Sequence, residues 1–174
     1  RTIIEVPSAS GRAMMLIQNY GLFWQLDKVH WGRQKNSGTL MGSAAKKKRA
    51  PDVNFREQRG VYVLYDDNFR IVYIGQAGAG NNDRLFHRLR SHKRDHLAQR
   101  WSRFSWFGLY PVDGGDIDQS YAISFGDEKG ILDHIEAILI AAAEPPLNLQ
   151  RGRFGSIVEQ YLQSATIVDE DDDE

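Results

Sequence analysis

Hydrophobic and polar positions alternate most clearly in the middle of the chain. Val61 to Tyr65 is a run of β-branched and aromatic residues, Asp66-Asp67-Asn68 is turn chemistry, and Ile71 to Ile74 is a second such run. The pattern predicts a β-hairpin. A glycine and asparagine loop, Gly75 to Asn82, then leads to Asp83, an N-cap candidate for a helix carrying Leu85, Phe86, Leu89 and Leu97. Phe104 to Val112 alternates aromatic with small and apolar residues, which suits a third strand closed by Asp113-Gly114-Gly115-Asp116. After a polar stretch, Ile131, Ile135, Ile138, Leu139 and Ala142 recur at helical spacing, with Pro145-Pro146 as the stop. The order strand, strand, helix, strand, helix predicts an α/β unit of the α+β type, in which a short sheet needs helices to cover it.

The flanks carry weaker patterns. Residues 1–57 read as an accessory N-terminal segment and basic linker, with an apolar stretch from Met14 to Trp24, a turn region at Val29-His30-Trp31-Gly32 and a polar loop. Lys46-Lys47-Lys48-Arg49 precedes Pro51, and four consecutive cations suit either an exposed linker or a loop that touches phosphate. Residues 58–155 form the expected functional domain, 156–168 a C-terminal extension and 169–174 an acidic, disordered tail. No internal repeat is visible.

Composition narrows the classes. A chain of 174 residues can bury one sizeable core but not two ordinary domains, and 41% hydrophobic with 26% charged residues is the balance of a folded domain. The absence of cysteine excludes disulfides, thiolate zinc sites and cysteine nucleophiles. No apolar run approaches a membrane span, so no membrane partner is expected and a cytoplasmic location is. The net charge of −1 hides an asymmetry, because six of the 23 carboxylates lie in Asp169 to Glu174. Without that hexapeptide, 22 cationic side chains face 17 carboxylates, a mildly basic body suited to a polyanion. The tail then serves as a solubilising end or as a DNA mimic that competes for the basic face.

The first unusual feature is the row Arg84, Arg88, His92, His96 and Arg100, spaced by four on the expected helix. Such a row makes a cationic stripe, which is either a solvated face or a surface for phosphate. Arg90, Lys93, Arg94 and Arg103, with Trp101 and Trp106 nearby, favour phosphate. His92 and His96 have the spacing of two zinc ligands, but Lys93 stands where a zinc hydrolase carries glutamate, and His87 and His134 read as surface histidines. The second feature is Glu136, set one turn from Leu132 and Ile140 at the edge of an apolar face. A carboxylate there needs a cation, so an ion pair and a metal site are both open. Gly75 to Gly80 lacks the Gly-Lys-Ser/Thr of a phosphate loop, and no serine-hydrolase elbow is present.

In this order the pieces resemble the GIY-YIG endonuclease family. Gly60-Val61-Tyr62 stands for the first motif and Tyr73-Ile74-Gly75 for the second, with the tyrosines 11 residues apart. Arg88 and His92 follow on the next helix, Glu136 on a later one, then Pro145-Pro146-Leu147-Asn148, so that roughly residues 58 to 155 are covered. Valine replaces the isoleucine of the first motif, and the stretch from Gly75 to Arg88 is longer than in compact members. The resemblance implies a small three-stranded antiparallel sheet flanked by helices, and hydrolysis of DNA by water with one divalent metal, Mg2+ or Mn2+.

It also implies roles. Tyr62 would be the general base, helped by nearby positive charge because a phenol has an ordinary pKa near 10. Tyr73 would orient the water or the phosphate. Arg88 would hold the transition-state phosphate through paired hydrogen bonds, with Arg84 as the competing candidate, and His92 would share a proton with Tyr62 or touch the phosphate. Glu136 would be the one protein carboxylate on the metal, and Asn148 would support the site's backbone or contact the phosphate. Arg84, Arg90, Lys93 and Arg94 would grip the nucleic acid.

The rival from another class is a non-catalytic nucleic-acid-binding module with Trp101, Phe104 and Trp106 as stacking surfaces. A further alternative is a nuclease subunit activated by a protein partner through the N-terminal segment, or a homodimer that cuts both strands of double-stranded DNA. No second DNA-recognition module is evident after residue 165, which points to restriction or antiviral defence rather than a homing enzyme.

Overall fold

The expected hairpin forms: in the computed structural model, β4 (Gly60–Tyr65) and β5 (Ile71–Ala77) pair antiparallel with Tyr62 opposite Gly75 and Val63 opposite Ile74. Asp66 makes the turn by accepting the backbone N–H groups of Asn68 and Arg70, each at 2.9 Å. The structure describes residues 16–34, 37–78, 83–123, 128–143, 154 and 158–165. The third expected strand is β6 (Arg103–Gly108), antiparallel to β4. Beyond it, β7 (Val112–Asp113) and β8 (Asp116–Ile117) make a small two-stranded hairpin through Gly114 and Gly115, both at positive φ, which glycine adopts without strain.

The three-stranded sheet flanked by helices is not what the chain builds. These strands are part of a seven-stranded mixed sheet. The segment read as accessory supplies β1 (Asn19–Gln25), β2 (Met41–Ala44) and β3 (Val53–Asn54), and the C-terminal extension supplies β9 (Glu159–Gln163), giving the order β3-β2-β9-β1-β6-β4-β5. β1 lies antiparallel to β6 and parallel to β9. The physical reason lies in the aromatic core: Phe55 packs against Trp106 and Tyr161 with ring centroids 4.5 Å from each, and Trp24 stands edge-on to Trp106 at 5.3 Å. β6 cannot cover Phe104 and Trp106 without rings carried by the flanks.

Alternation along β4 divides the molecule. Tyr62 and Leu64 point into one cluster with Phe55, Phe104 and Trp106, which α1 (Leu85–His92) covers with Leu85, Phe86 and Leu89. Val63 and Tyr65 point to the other face, where α2 (Glu128–Ala143) packs beside Phe107 and Ile17. The two α-helices among the described residues therefore sit on opposite faces of the sheet.

Both helices depart from expectation. α1 is capped by the backbone of Arg84 rather than by Asp83, and it ends at His92 instead of running on past Leu97. The Trp101 indole donates to the His92 carbonyl, and the Asp95 carboxylate takes the Leu97 N–H, so turns replace the next helical bonds. The cationic row is broken accordingly, with His96 and Arg100 beyond the helix. On α2 the buried positions among the described side chains are His134, Ala137, Ala141 and Ala142, while Ile135 and Leu139 face outward at 47% and 61% exposure. Small side chains let the helix approach the sheet closely, where the isoleucine-rich face would hold it away.

His134, read as a surface residue, is buried, and its Nδ1 accepts the Ile17 N–H at 3.0 Å. Burial lowers its pKa below the ordinary 6.5. The unfolded chain then binds more protons, so the stability this group contributes is complete above the unfolded value and falls as pH drops toward the folded one. Tm is expected to decline on acidification below about pH 6.5, and less steeply in His134→Gln, whose amide oxygen can still accept the bond. Parallel Tm profiles for the two proteins would refute this.

Pro145-Pro146, Asn148 and the acidic tail lie outside the described residues. No described helix is long and apolar enough to cross a membrane.

Candidate active site

β4 and β5 present Tyr62 and Tyr73 to the face covered by α1, and α1 presents Arg88 and His92, one turn apart, to the same place. The Tyr62 hydroxyl lies 2.8 Å from His92 Nε2. The Tyr73 ring sits 4.8 Å from the imidazole and 6.2 Å from the Tyr62 ring. Gly75 stands directly opposite Tyr62, and a Cβ there would run into the Tyr62 hydroxyl. The glycine that closes Tyr73-Ile74-Gly75 is thus needed for clearance, a requirement of packing rather than of the loop.

His92 is 4% exposed, and both its ring nitrogens are engaged. Nδ1 meets Asp95 Oδ2 at 2.7 Å, and the other Asp95 oxygen accepts the Leu97 N–H at 2.8 Å. Although partial desolvation opposes its charge, the Leu97 N–H and the neighbouring His92 and His96 hold the Asp95 carboxyl below its ordinary range. Asp95 is a site residue that sequence reading missed. The signal available was its position three residues after His92, just past the helix end.

Burial pushes the Tyr62 phenol above its ordinary pKa of 10, and the hydrogen-bonding and charge of Arg88 offset this only in part. Among the described residues desolvation outweighs the positive charge beside the phenol. Arg88 is held in its charged form chiefly by hydrogen bonding with Tyr62, against the effect of burial. Its Nε is buried without a hydrogen-bond partner among the described residues. A guanidinium N–H without a protein partner would favour an anionic oxygen that reached it. Arg84 is set apart from this group, its Nε 4.0 Å from a Glu57 oxygen at the start of α1.

The other cations are distributed along α1 and just beyond it. Arg90 donates to the Gln34 carbonyl at 3.0 Å, Lys93 lies 4.5 Å over the Trp31 ring, and Arg94 is exposed. Burial, then the charges of Arg94 and Arg90, lower the pKa of Lys93. Trp101, Phe104 and Trp106, the stacking surfaces of the rival reading, are buried in the core and present no face to a base.

Glu136 is exposed on α2 rather than at the edge of the core, which removes the desolvation argument for a compensating cation. No hydrogen bond or ion pair among the described residues joins it to Tyr62, Tyr73, Arg88 or His92. Nor do three or more His, Asp or Glu side chains converge among the described residues. Magnesium keeps most of its waters and takes one or two protein carboxylates, but Glu136 stands on the helix that packs on the other face of the sheet from Tyr62 and His92. A cavity of about 240 Å3 near Lys47, Pro51, Val112 and Glu159 contains none of these residues.

Comparison with known proteins returns no match: no family model, no curated protein and no solved structure matches the chain.

Proposed function

We propose that the protein is a metal-dependent endonuclease that hydrolyses DNA phosphodiester bonds with a tyrosine-activated water, in the manner of the GIY-YIG enzymes its motifs resemble. The observation that carries this reading is the 2.8 Å contact between the Tyr62 hydroxyl and His92 Nε2 beside the Arg88 guanidinium. A buried phenol hydrogen-bonded to an imidazole satisfies that nitrogen and is also a short route for a proton.

In this mechanism Tyr62 takes a proton from the attacking water as its own proton passes to His92 Nε2. The water oxygen forms the new bond to phosphorus, the bond to the departing sugar oxygen breaks, and that oxygen is protonated by solvent. Arg88 stabilises the charge that develops on the phosphoryl oxygens, its buried Nε being the donor without a protein partner. Tyr73 borders the phenol and the imidazole and restricts the approach of the water. Arg84, Arg90, Lys93 and Arg94 hold the flanking backbone of double-stranded DNA. The resemblance gives Mg2+ or Mn2+ to Glu136, where the ion would supply charge neutralisation at a phosphate, and that role requires α2 to be brought to the side of the sheet that carries Tyr62.

The test is cleavage of supercoiled, linear and single-stranded DNA with magnesium, manganese or EDTA, using the intact protein and Glu136→Ala. Cutting that requires the metal and falls by at least about 100-fold in the variant is expected. DNA binding without cutting under every metal condition would sink the nuclease reading and leave a binding protein.

A further inference from the structure

We propose that Asp95 is a positioning residue that sets the His92 tautomer and so aims the Tyr62 proton at His92, an inference that rests on the nuclease reading for its purpose but not for its chemistry. The argument starts from donors and acceptors. An ionised carboxylate only accepts, so the 2.7 Å contact between Asp95 Oδ2 and His92 Nδ1 requires the imidazole proton on Nδ1. In the neutral ring Nε2 is then the lone-pair nitrogen, and the Tyr62 hydroxyl 2.8 Å away must be the donor.

The opposite tautomer would reverse this. An Nε2–H would donate to the Tyr62 oxygen, the phenol proton would point elsewhere, and a proton arriving from water would have nowhere to go. A carboxylate that fixes ring orientation and stabilises the imidazolium formed in the reaction is a recurrent solution to that problem.

Asp95 is itself held. Its Oδ1 caps the Leu97 N–H at 2.8 Å, which leaves Oδ2 for the ring. The ring is fixed from other sides too, with Tyr62 from β4, Tyr73 from β5, and the Trp101 indole on the His92 carbonyl at 3.2 Å. Arg88 from the preceding turn and His96 from the following one are the remaining charged or titratable neighbours among the described residues. Both act on the partners of the ring, and among the described residues Asp95 alone engages Nδ1.

Two roles for Asp95 must be separated: capping the turn after α1, and orienting His92. Asp95→Asn separates them, because the amide oxygen retains the cap to Leu97 while its NH2 replaces the acceptor at Nδ1 with a donor. Long-range 1H–15N NMR of the His92 ring, on the whole protein without metal or DNA, reads the tautomer directly. The intact protein is expected to carry Nδ1–H, and Asp95→Asn to shift to Nε2–H with Tm little changed. Steady-state cleavage by the variant is expected to fall by about 100- to 1,000-fold in kcat, with KM altered less than about threefold.

An Nε2–H tautomer in the intact protein overturns the proposal whatever the variant does, including failure to fold. An Nδ1–H tautomer that persists in Asp95→Asn, or a variant with unchanged kcat in an active enzyme, overturns it as well. Absence of cleavage by the intact protein would instead count against the nuclease reading, and the tautomer would still decide whether Asp95 orients the ring.

Discussion

Tyr62→Phe is expected to lower the rate of DNA cleavage by about 1,000-fold, the middle of the range for losing a positioned acid–base group. Phenylalanine keeps the ring, which is fully buried between the sheet and α1, so the packing of Leu85, Phe86 and Leu89 is retained. What is lost is one oxygen and with it the partner of His92 Nε2. Leaving that nitrogen unsatisfied in a buried setting costs about 1–3 kcal/mol, which lowers Tm by roughly 2–12 °C in a chain of this size. Cleavage is therefore compared well below both midpoints, with folding checked by circular dichroism. Equal rates in the two proteins would remove the phenol from the reaction and leave it a packing residue.

Phe55→Ala is expected to be strongly destabilising although it lies in the segment first read as accessory. Phe55 is completely buried and packs on Trp106, Tyr161 and Trp24 with ring centroids 4.5, 4.5 and 6.2 Å away. Removing a buried phenylalanine ring costs about 3–5 kcal/mol in lost transfer energy and in the cavity left behind. Against a total stability of about 5–15 kcal/mol, this is a large fraction. Tm should fall by roughly 6–20 °C. Leu162→Thr on β9 is the control, since that side chain is 54% exposed and its loss should change stability by about 0.5 kcal/mol or less. If Phe55→Ala melted with the control, residues 1–57 would be an appended segment, and the seven-stranded sheet would not be the folding unit.

Read locally, the chain determined the elements whose signals are local. The β4–β5 hairpin follows from two apolar runs flanking Asp66-Asp67-Asn68, the β7–β8 turn from Gly114-Gly115, and the existence of α2 from its helical apolar spacing. The chain also ordered Tyr62, Tyr73, Arg88 and His92 so that a hairpin and the following helix had to bring them near one another, because strand alternation and one helical turn place all four toward the same face.

Tertiary structure decided the rest. The partners of β1 and β9 are far away in sequence, and no period reveals that Asn19 pairs with Gly108 on one side and Glu159 on the other. Which face of α2 is buried depended on the close approach that Ala137 and Ala141 allow, against the larger hydrophobicity of Ile135 and Leu139. Asp95 joined the site only because α1 stops at His92, where the Trp101 indole and the Leu97 N–H replace helical bonds and turn the carboxylate back onto the ring. The proton state of Tyr62 was likewise beyond reach of the motif, since it is a balance between burial and one neighbouring cation, and both are properties of the packed molecule.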